Sequence, residues 1–368
     1  MISGTIQIPV DTLQSFMEDV FIHAGVPAED AKICSDVLIS SDLRGIESHG
    51  IGRLRMYYDR IKAGLQTPIT KIDIVKESPT TAVFDGNHGM GQVIGVKAMQ
   101  LAIEKARTYG MGSVAVRNST HFGIDGYYPL MAAGAGMIGM SFTNARPSIA
   151  PTFGVRPMLG TNPIAFGAPS DEPFPFLFDA ATSITQRGKI EVLSRAEKPA
   201  PAGWVIDRQG QPLTDSGQIL EGFGKEEAAL LPLGGAGELL GGHKGYGLAT
   251  MVEILSASLQ NGAFLYGLIG FDAAGNRQPF KLGHFFMAMN IEAFTTLAEF
   301  KQTTGAILRD LRAANKIPGQ ERIYTAGEKE YENEQRVRAE GVAVVPNLQK
   351  DIKYLVEDLK LSKYQFPF

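Results

Sequence analysis

The sequence predicts an α/β protein in which a sheet is covered by helices and a helical segment comes first. Three observations carry this expectation. Residues 1–66 repeat apolar side chains at helical spacing. Beyond Thr67 the character changes to short apolar runs at 72–75, 81–84, 113–116, 137–142 and 176–178, set apart by amphipathic or glycine-rich stretches. Short buried strands of this kind suit a sheet with helices on its faces. Three of the runs also end in polar residues, and ligands of such sheets collect beyond the carboxyl ends of strands.

In chain order, Asp11 is expected to cap a first helix whose apolar face is Leu13, Phe16, Val20 and Ala24, with Gly25 and Pro27 stopping it. A second helix carries Ile33, Val37 and Leu38, and Gly45 ends it. Ser48 is expected to cap a third, running to Gly64 with Ile51, Leu54, Tyr58 and Ile61 on one side. Residues 85–95 read as a glycine-rich turn, after which Val96, Met99, Ile103 and Ala106 mark an amphipathic helix. Gly89-Met-Gly-Gln-Val-Ile-Gly95 stands between strand and helix, as a dinucleotide-binding turn would. The next strand, however, ends in Arg117-Asn118, with no carboxylate to hold a ribose. The glycines are therefore read as a tight turn with close helix packing. Residues 155–175 and 195–235 are rich in Pro and Gly and are expected to form long irregular loops. Gly241-Gly-His-Lys-Gly-Tyr-Gly247 opens a helix with Leu248, Val252, Leu255 and Leu259 on one face. A strand over 284–291, a long helix over 293–314, a turn at Pro318-Gly-Gln320, a charged solvated segment over 327–340 and a helix over 351–359 complete the chain.

The 368 residues suffice for two or three domains and a large core. At 44% hydrophobic and 20% charged, the composition is that of an ordinary globular protein. The formal charge of −4 and the lack of any basic run argue against nucleic acid or an anionic membrane surface as partner. No apolar run is long enough to span a bilayer, and residues 1–10 lack the pattern of a signal peptide. Cys34 is the only cysteine, which rules out an internal disulfide or a cysteine metal cluster and suits a reducing cytosol.

The chemistry is concentrated in residues 41–54. With Ser48 as cap, His49 falls in the first turn of a helix and Arg53 lies four residues on, on the same face. A proton-transferring imidazole then stands one turn from a cation that grips carboxylates, and the helix dipole favours the neutral imidazole. Two-hydroxy and two-oxo acid chemistry needs such a pair. The strand ends add Asn118, Ser119, Thr120 and His121, then Thr143, Asn144 and Arg146, then Asp179, Thr182 and Ser183. Each cluster alone also fits a helix cap or turn. The backbone N–H groups at the start of the helix that Gly241–Gly247 opens, with Lys244 beside them, suit a pyrophosphate.

Ser41-Asp-Leu-Arg-Gly-Ile-Glu-Ser-His-Gly50 resembles a signature of the type 2 malate/L-lactate dehydrogenases. So do Arg117-Asn-Ser-Thr-His-Phe-Gly123, Leu159-Gly-Thr-Asn-Pro163, Asp179-Ala-Ala-Thr-Ser183, Gly242-His-Lys-Gly-Tyr-Gly-Leu248 and Gly283-His-Phe-Phe286. These blocks keep the family's order over nearly the whole chain. The resemblance implies a non-Rossmann, NAD- or NADP-binding mixed-sheet domain over 76–294. It also implies a helical dimerisation domain from 1–75 with 295–368. It implies a cytoplasmic homodimer that needs no metal and interconverts small two-hydroxy and two-oxo acids such as malate and oxaloacetate or lactate and pyruvate. Some members reduce cyclic imines or oxidise ureidoglycolate instead. By the same resemblance, His49 and His121 are the acid/base candidates, and Ser48, Arg53, Thr143 and Asn144 the substrate contacts. Asp179, Thr182, Ser183, Lys244, Gly245, Pro318, Gly319 and Gln320 are the cofactor contacts.

Overall fold

Helical periodicity over residues 1–66 becomes a strand and three helices. They are β1 (Ile6–Ile8), α1 (Val10–His23), α2 (Ala28–Leu43) and, after a 3-10 turn at Ile51–Arg53, α3 (Leu54–Lys62). The computed structural model describes residues 3–368. Met1 and Ile2, the start of the N-terminal stretch read above, lie outside the described residues. Pro9, not Asp11, holds the cap position of α1. Asp11 sits in the first turn, where its charge complements the helix dipole. The expected apolar faces are buried through Leu13, Phe16 and Val20 on α1 and Val37 and Leu38 on α2.

The chain continues through β2 (Asp73–Glu77), β3 (Thr81–Asp85), α4 (Gly91–Tyr109), β4 (Met111–Ser119), α5 (Tyr127–Gly134), β5 (Met137–Thr143), β6 (Ile164–Ala168) and β7 (Phe176–Ala180). A smaller unit follows, with α6 (Arg187–Arg195), β8 (Val205–Asp207), β9 (Pro212–Leu213), α7 (Ser216–Lys225) and β10 (Ala228–Leu230). The last third holds α8 (Gly242–Ala257), β11 (Leu282–Asn290), α9 (Leu297–Ala313), α10 (Glu328–Glu340), β12 (Val342–Val344) and α11 (Pro346–Asp358).

The main sheet has the order β2-β3-β4-β11-β5-β6-β7. Only β3 and β4 run parallel; the other neighbours are antiparallel, so the sheet is mixed, as expected. Side chains alternate between its faces. On β11, Phe286 and Ala288 join Met99, Ala102 and Val114 in a core under α4. Gly283 faces the other way, where a Cβ would come within 1.6 Å of the Ser256 carbonyl of α8. Helices therefore cover both faces. A second core unites the chain ends, with Leu13, Phe16 and Leu54 packed against Val337, Val344, Ile352 and Leu355. Each large apolar side chain fully buried there contributes about 1.5–3 kcal/mol. α9 is tied down elsewhere, through Arg309 to Asp171 and Glu172 and through Arg312 to Glu172, beside the β6–β7 turn.

Several expectations need correction. The stretch 155–175 contains β6, whose Gly167 packs against Pro129. The stretch 195–235 is no irregular loop: β10, β8 and β9 form a sheet, and Ile219 of α7 closes a small core with Val205 and Leu230. The charged segment 327–340 is the helix α10, which buries Val337. On α8 the buried side is Gly245, Ala249, Val252, Glu253, Ser256 and Ala257. Leu248 and Leu259, expected inside, are exposed. Small residues face the sheet because α8 is pressed so closely onto β11.

Candidate active site

The segment between α2 and α3 sets the geometry. α2 ends at Leu43, and Gly45 follows with φ +75°, in the left-handed region that favours glycine. The chain then turns through residues 46–50. The carboxyl of Asp42, buried and accepting the Ile51 N–H at 2.8 Å, ties that turn to α2. Ser48 is therefore not a helix cap, and His49 is not in a first helical turn, because helical structure begins only at Ile51. The expected one-face pairing of His49 and Arg53 fails for the same reason. Instead, the Arg53 Nε donates to the Ser48 carbonyl at 2.6 Å, which leaves the terminal fork of the guanidinium free. Ser48 Oγ lies 2.8 Å from His49 Nδ1.

His49 and His121, distant in sequence, are brought together with rings stacked at 5.4 Å. His121 follows β4, on a loop locked against the start of α4. Thr120 Oγ1 accepts from the Gly91 N–H at 3.0 Å and donates to the Gly89 carbonyl at 2.8 Å. A Cβ on Gly91 would fall 2.4 Å from the Thr120 carbonyl and 2.5 Å from that of His121. The glycine-rich turn thus serves close packing, as the sequence reading held, and it positions His121. Tyr57, fully buried on α3, reaches His121 Nδ1 at 2.5 Å, and the Gly123 N–H points at the same nitrogen at 3.3 Å. A backbone N–H can only donate, so Nδ1 is the acceptor and the neutral ring carries its proton on Nε2. Tyr57 was not singled out from the sequence.

Electrostatics keep both imidazoles neutral. Burial, then the charge of Arg53, lowers His49 to about 4. Burial, then His49 and the arginines nearby, holds His121 well below its ordinary value. The dipole argument gives way to desolvation and a neighbouring cation. A third histidine, His284 on β11, stacks on Phe122 at 4.3 Å and pairs through Nδ1 with Thr143 Oγ1 at 2.7 Å. Burial lowers it to about 3.

Thr143 and Asn144 end β5 next to this cluster, but their polar atoms are claimed. Thr143 Oγ1 donates to carbonyls of Asn144 and Gly283 at 3.1 and 3.2 Å. Asn144 bonds the Gly283 N–H at 2.8 Å and the Ala263 carbonyl at 3.2 Å. Both lock β5 to its neighbours.

Ser48 and Arg53 border a cleft of about 1090 Å³ that also carries Asp179, Ser183, Trp204 and Leu233. Asp179 Oδ2 accepts the Gly126 N–H at 2.7 Å. Thr182 Oγ1 donates to the carbonyls of Thr161 and Asn162, and Ser183 Oγ to that of Thr185, so both hydroxyls shape the wall. Gly245 also shapes it, because a Cβ there would meet the Leu233 carbonyl at 2.1 Å. At the start of α8, the His243 and Lys244 N–H groups already bond the carbonyls of Gly237 and Gly241. The Lys244 residue is exposed. Pro318, Gly319 and Gln320 form an exposed turn. Their neighbours Lys316 and Glu321 border a different cleft of about 540 Å³ with Glu172, Arg312 and Glu328. The structure does not place these three with His49.

A stacked pair of imidazoles stands near an arginine whose terminal fork makes no hydrogen bond to protein among the described residues, on a mixed sheet covered by helices. The family model for malate/L-lactate dehydrogenase matches residues 8–353, and the chain belongs to that family. It is 50% identical over 324 residues to a malate dehydrogenase of Pyrococcus abyssi, covering 88% of this chain and 87% of that protein. It is 41% identical to an L-sulfolactate dehydrogenase of Methanocaldococcus jannaschii, covering 94% of each. Among solved structures, a malate dehydrogenase from Entamoeba histolytica superposes with a TM-score of 0.94 at 46% identity, over 99% of this chain and 100% of that one. Among the described residues no helix is long and apolar enough to cross a membrane.

Proposed function

We propose that this protein reduces a small two-oxo acid to the two-hydroxy acid, and runs the reverse, with NAD as partner and NADP as the alternative. Malate and oxaloacetate or lactate and pyruvate are the reference substrates. The observation that carries the reading is the stacked His49–His121 pair beside the free fork of Arg53, at the edge of a nucleotide-sized cleft. A dinucleotide is supported by the size of that cleft, by Asp179 and Ser183 on its rim and by Trp204 on its wall. Thr182, Lys244, Gly245, Pro318, Gly319 and Gln320 are assigned to nucleotide-contacting loops on the family resemblance.

The bound nicotinamide supplies or accepts the hydride. The chain does the rest. Arg53 holds the substrate carboxylate through two parallel N–H bonds and fixes which face of C2 is presented. His121, with Nδ1 claimed by Tyr57 and Gly123, offers Nε2–H to the carbonyl oxygen. His49, stacked on His121 and beside Ser48 Oγ, carries the proton that the oxygen gains. An anionic substrate raises its basicity on binding, which offsets the effect of Arg53. In oxidation the neutral His49 takes that proton back.

The reading includes the division into a helical unit, 1–75 with 295–368, and a sheet unit, 76–294. It also includes a homodimeric state and a cytoplasmic location. The exposed Leu248, Met251 and Ile254 of α8 support an apolar contact between copies. The direct test is a panel of oxaloacetate, pyruvate and a cyclic imine with NADH and NADPH, followed by loss of reduced-nicotinamide absorbance. Turnover of a two-oxo acid supports the reading; turnover of the imine alone replaces it.

A further inference from the structure

Arg53, Tyr57 and Arg60 follow one another at helical spacing, so they share one face of the segment formed by the 3-10 turn and α3. Tyr57 fixes that face against His121. The two guanidiniums thus flank the imidazoles, with Arg53 on the side of the large cleft and Arg60 two turns further along. Arg60 is braced: its guanidinium lies 4.4 Å over the ring of Phe280. That contact restrains the group by a cation–π interaction without using its N–H donors. Among the described residues, Arg60 forms no side-chain hydrogen bond or ion pair. Arg146, just past β5, also lacks a carboxylate partner and lies close enough to repel Arg60. Half-buried and surrounded by like charge, Arg60 is held below its ordinary value, chiefly by burial. A cation so placed, with all its donors unclaimed by protein, is costly unless a ligand anion completes it.

We propose that Arg60, assisted by Arg146, binds a second anionic group at the far end of the substrate and so selects dianionic two-oxo acids, carboxylate- or sulfonate-terminated, over monoanionic ones. This rests on the reading of Arg53 as the holder of the first carboxylate. Arg60 shares its face with Tyr57, which contacts His121, so the anion it meets is placed at the imidazole pair and away from the cleft that carries Trp204.

The test compares kcat/KM for oxaloacetate and pyruvate with NADH in wild type, Arg60→Met, Arg60→Lys and Arg146→Met. Loss of one partner of a desolvated charge pair costs roughly 30- to 5000-fold. The oxaloacetate-to-pyruvate ratio is expected to fall by about that factor in Arg60→Met, partly recovering in Arg60→Lys. Arg146→Met, at an exposed position, is expected to lower the same ratio less. NADH affinity, read from Trp204 fluorescence, is expected to stay unchanged in all three. Equal losses on both acids, an unchanged ratio, or weakened NADH binding by folded Arg60→Met and Arg146→Met would overturn the assignment. Wild-type protein that turns over both acids equally also overturns it. Wild-type protein that turns over neither acid with either nucleotide defeats the parent reading instead.

Discussion

Tyr57 and His49 divide the labour at the proposed reaction centre, and their substitution separates the two roles. A positioned acid or base contributes on the order of 10²–10⁴ in rate. His49→Ala is expected to lose kcat by that factor while NADH still quenches Trp204, the protein's only tryptophan, on the cleft wall. Near-normal turnover would move the proton-transfer role to His121. Tyr57→Phe removes the hydroxyl from His121 Nδ1 but leaves the Gly123 N–H in place. A buried hydrogen bond of this kind is worth about 1–1.5 kcal/mol, so kcat is expected to fall roughly tenfold with little change in KM. A steady-state comparison of the two variants on one two-oxo acid checks both statements. In the oxidation direction, kcat/KM is expected to rise with pH through about 4, as His49 becomes free to accept a proton, and then to level off.

The elements that hold those side chains have weak points of their own. α4 begins against the backbone of Thr120 and His121, with no space for a methyl group at Gly91. Gly91→Ala is expected to destabilise the fold by about 1–3 kcal/mol, as overpacking does, and to lower kcat by shifting His121. Thermal unfolding and kcat measured on one preparation check the pair of effects. Much of this level was legible in the sequence. The periodic runs Leu13–Phe16–Val20 and Val96–Met99–Ile103 form long helices, and their apolar faces are buried. The five-residue strands β2, β3 and β7 were legible, but β6 and the two- and three-residue strands of the small sheet were not. β8, β9 and β10 carry too few side chains for alternation to register, and the Ala and Gly of β6 mask a strand that its neighbours impose. The turn at 46–50 was misread because a serine before an apolar run looks like a cap; here the buried Asp42 does the capping work from the preceding helix. The contact between His49 and His121 depends on two segments far apart in the chain, and no local pattern encodes it. Nor does spacing show that the hydroxyl and amide of Thr143 and Asn144 are spent on the sheet.

Over the whole molecule, the buried titratable groups set opposing limits on stability. His49 and His284 have folded values near 4 and 3, below the ordinary 6.5. Their neutral forms are favoured by the fold, so their contribution is complete above about 6.5 and is lost as pH falls toward those values. Asp42 runs the other way. Burial lifts it to about 8, against the Ile51 N–H, which favours the anion. Its contribution is complete below about 4 and is lost as pH rises toward 8. Stability is therefore expected to peak between these limbs. Asp42→Asn, which keeps an acceptor for Ile51, is expected to make the alkaline decline of a Tm–pH profile shallower, with the remainder carried by Asp125, which burial also raises. A wild-type profile with no alkaline decline would count against a neutral Asp42. The central claim concerns hydride transfer steered by the 46–60 segment. The measurement that bears on it most directly is the rate of NADH oxidation by oxaloacetate in a single turnover, wild type against His49→Ala. The account predicts rapid oxidation by wild type and a loss of 10²–10⁴ in the variant with NADH still bound; equal rates in the two proteins, or no oxidation by wild type, would contradict it.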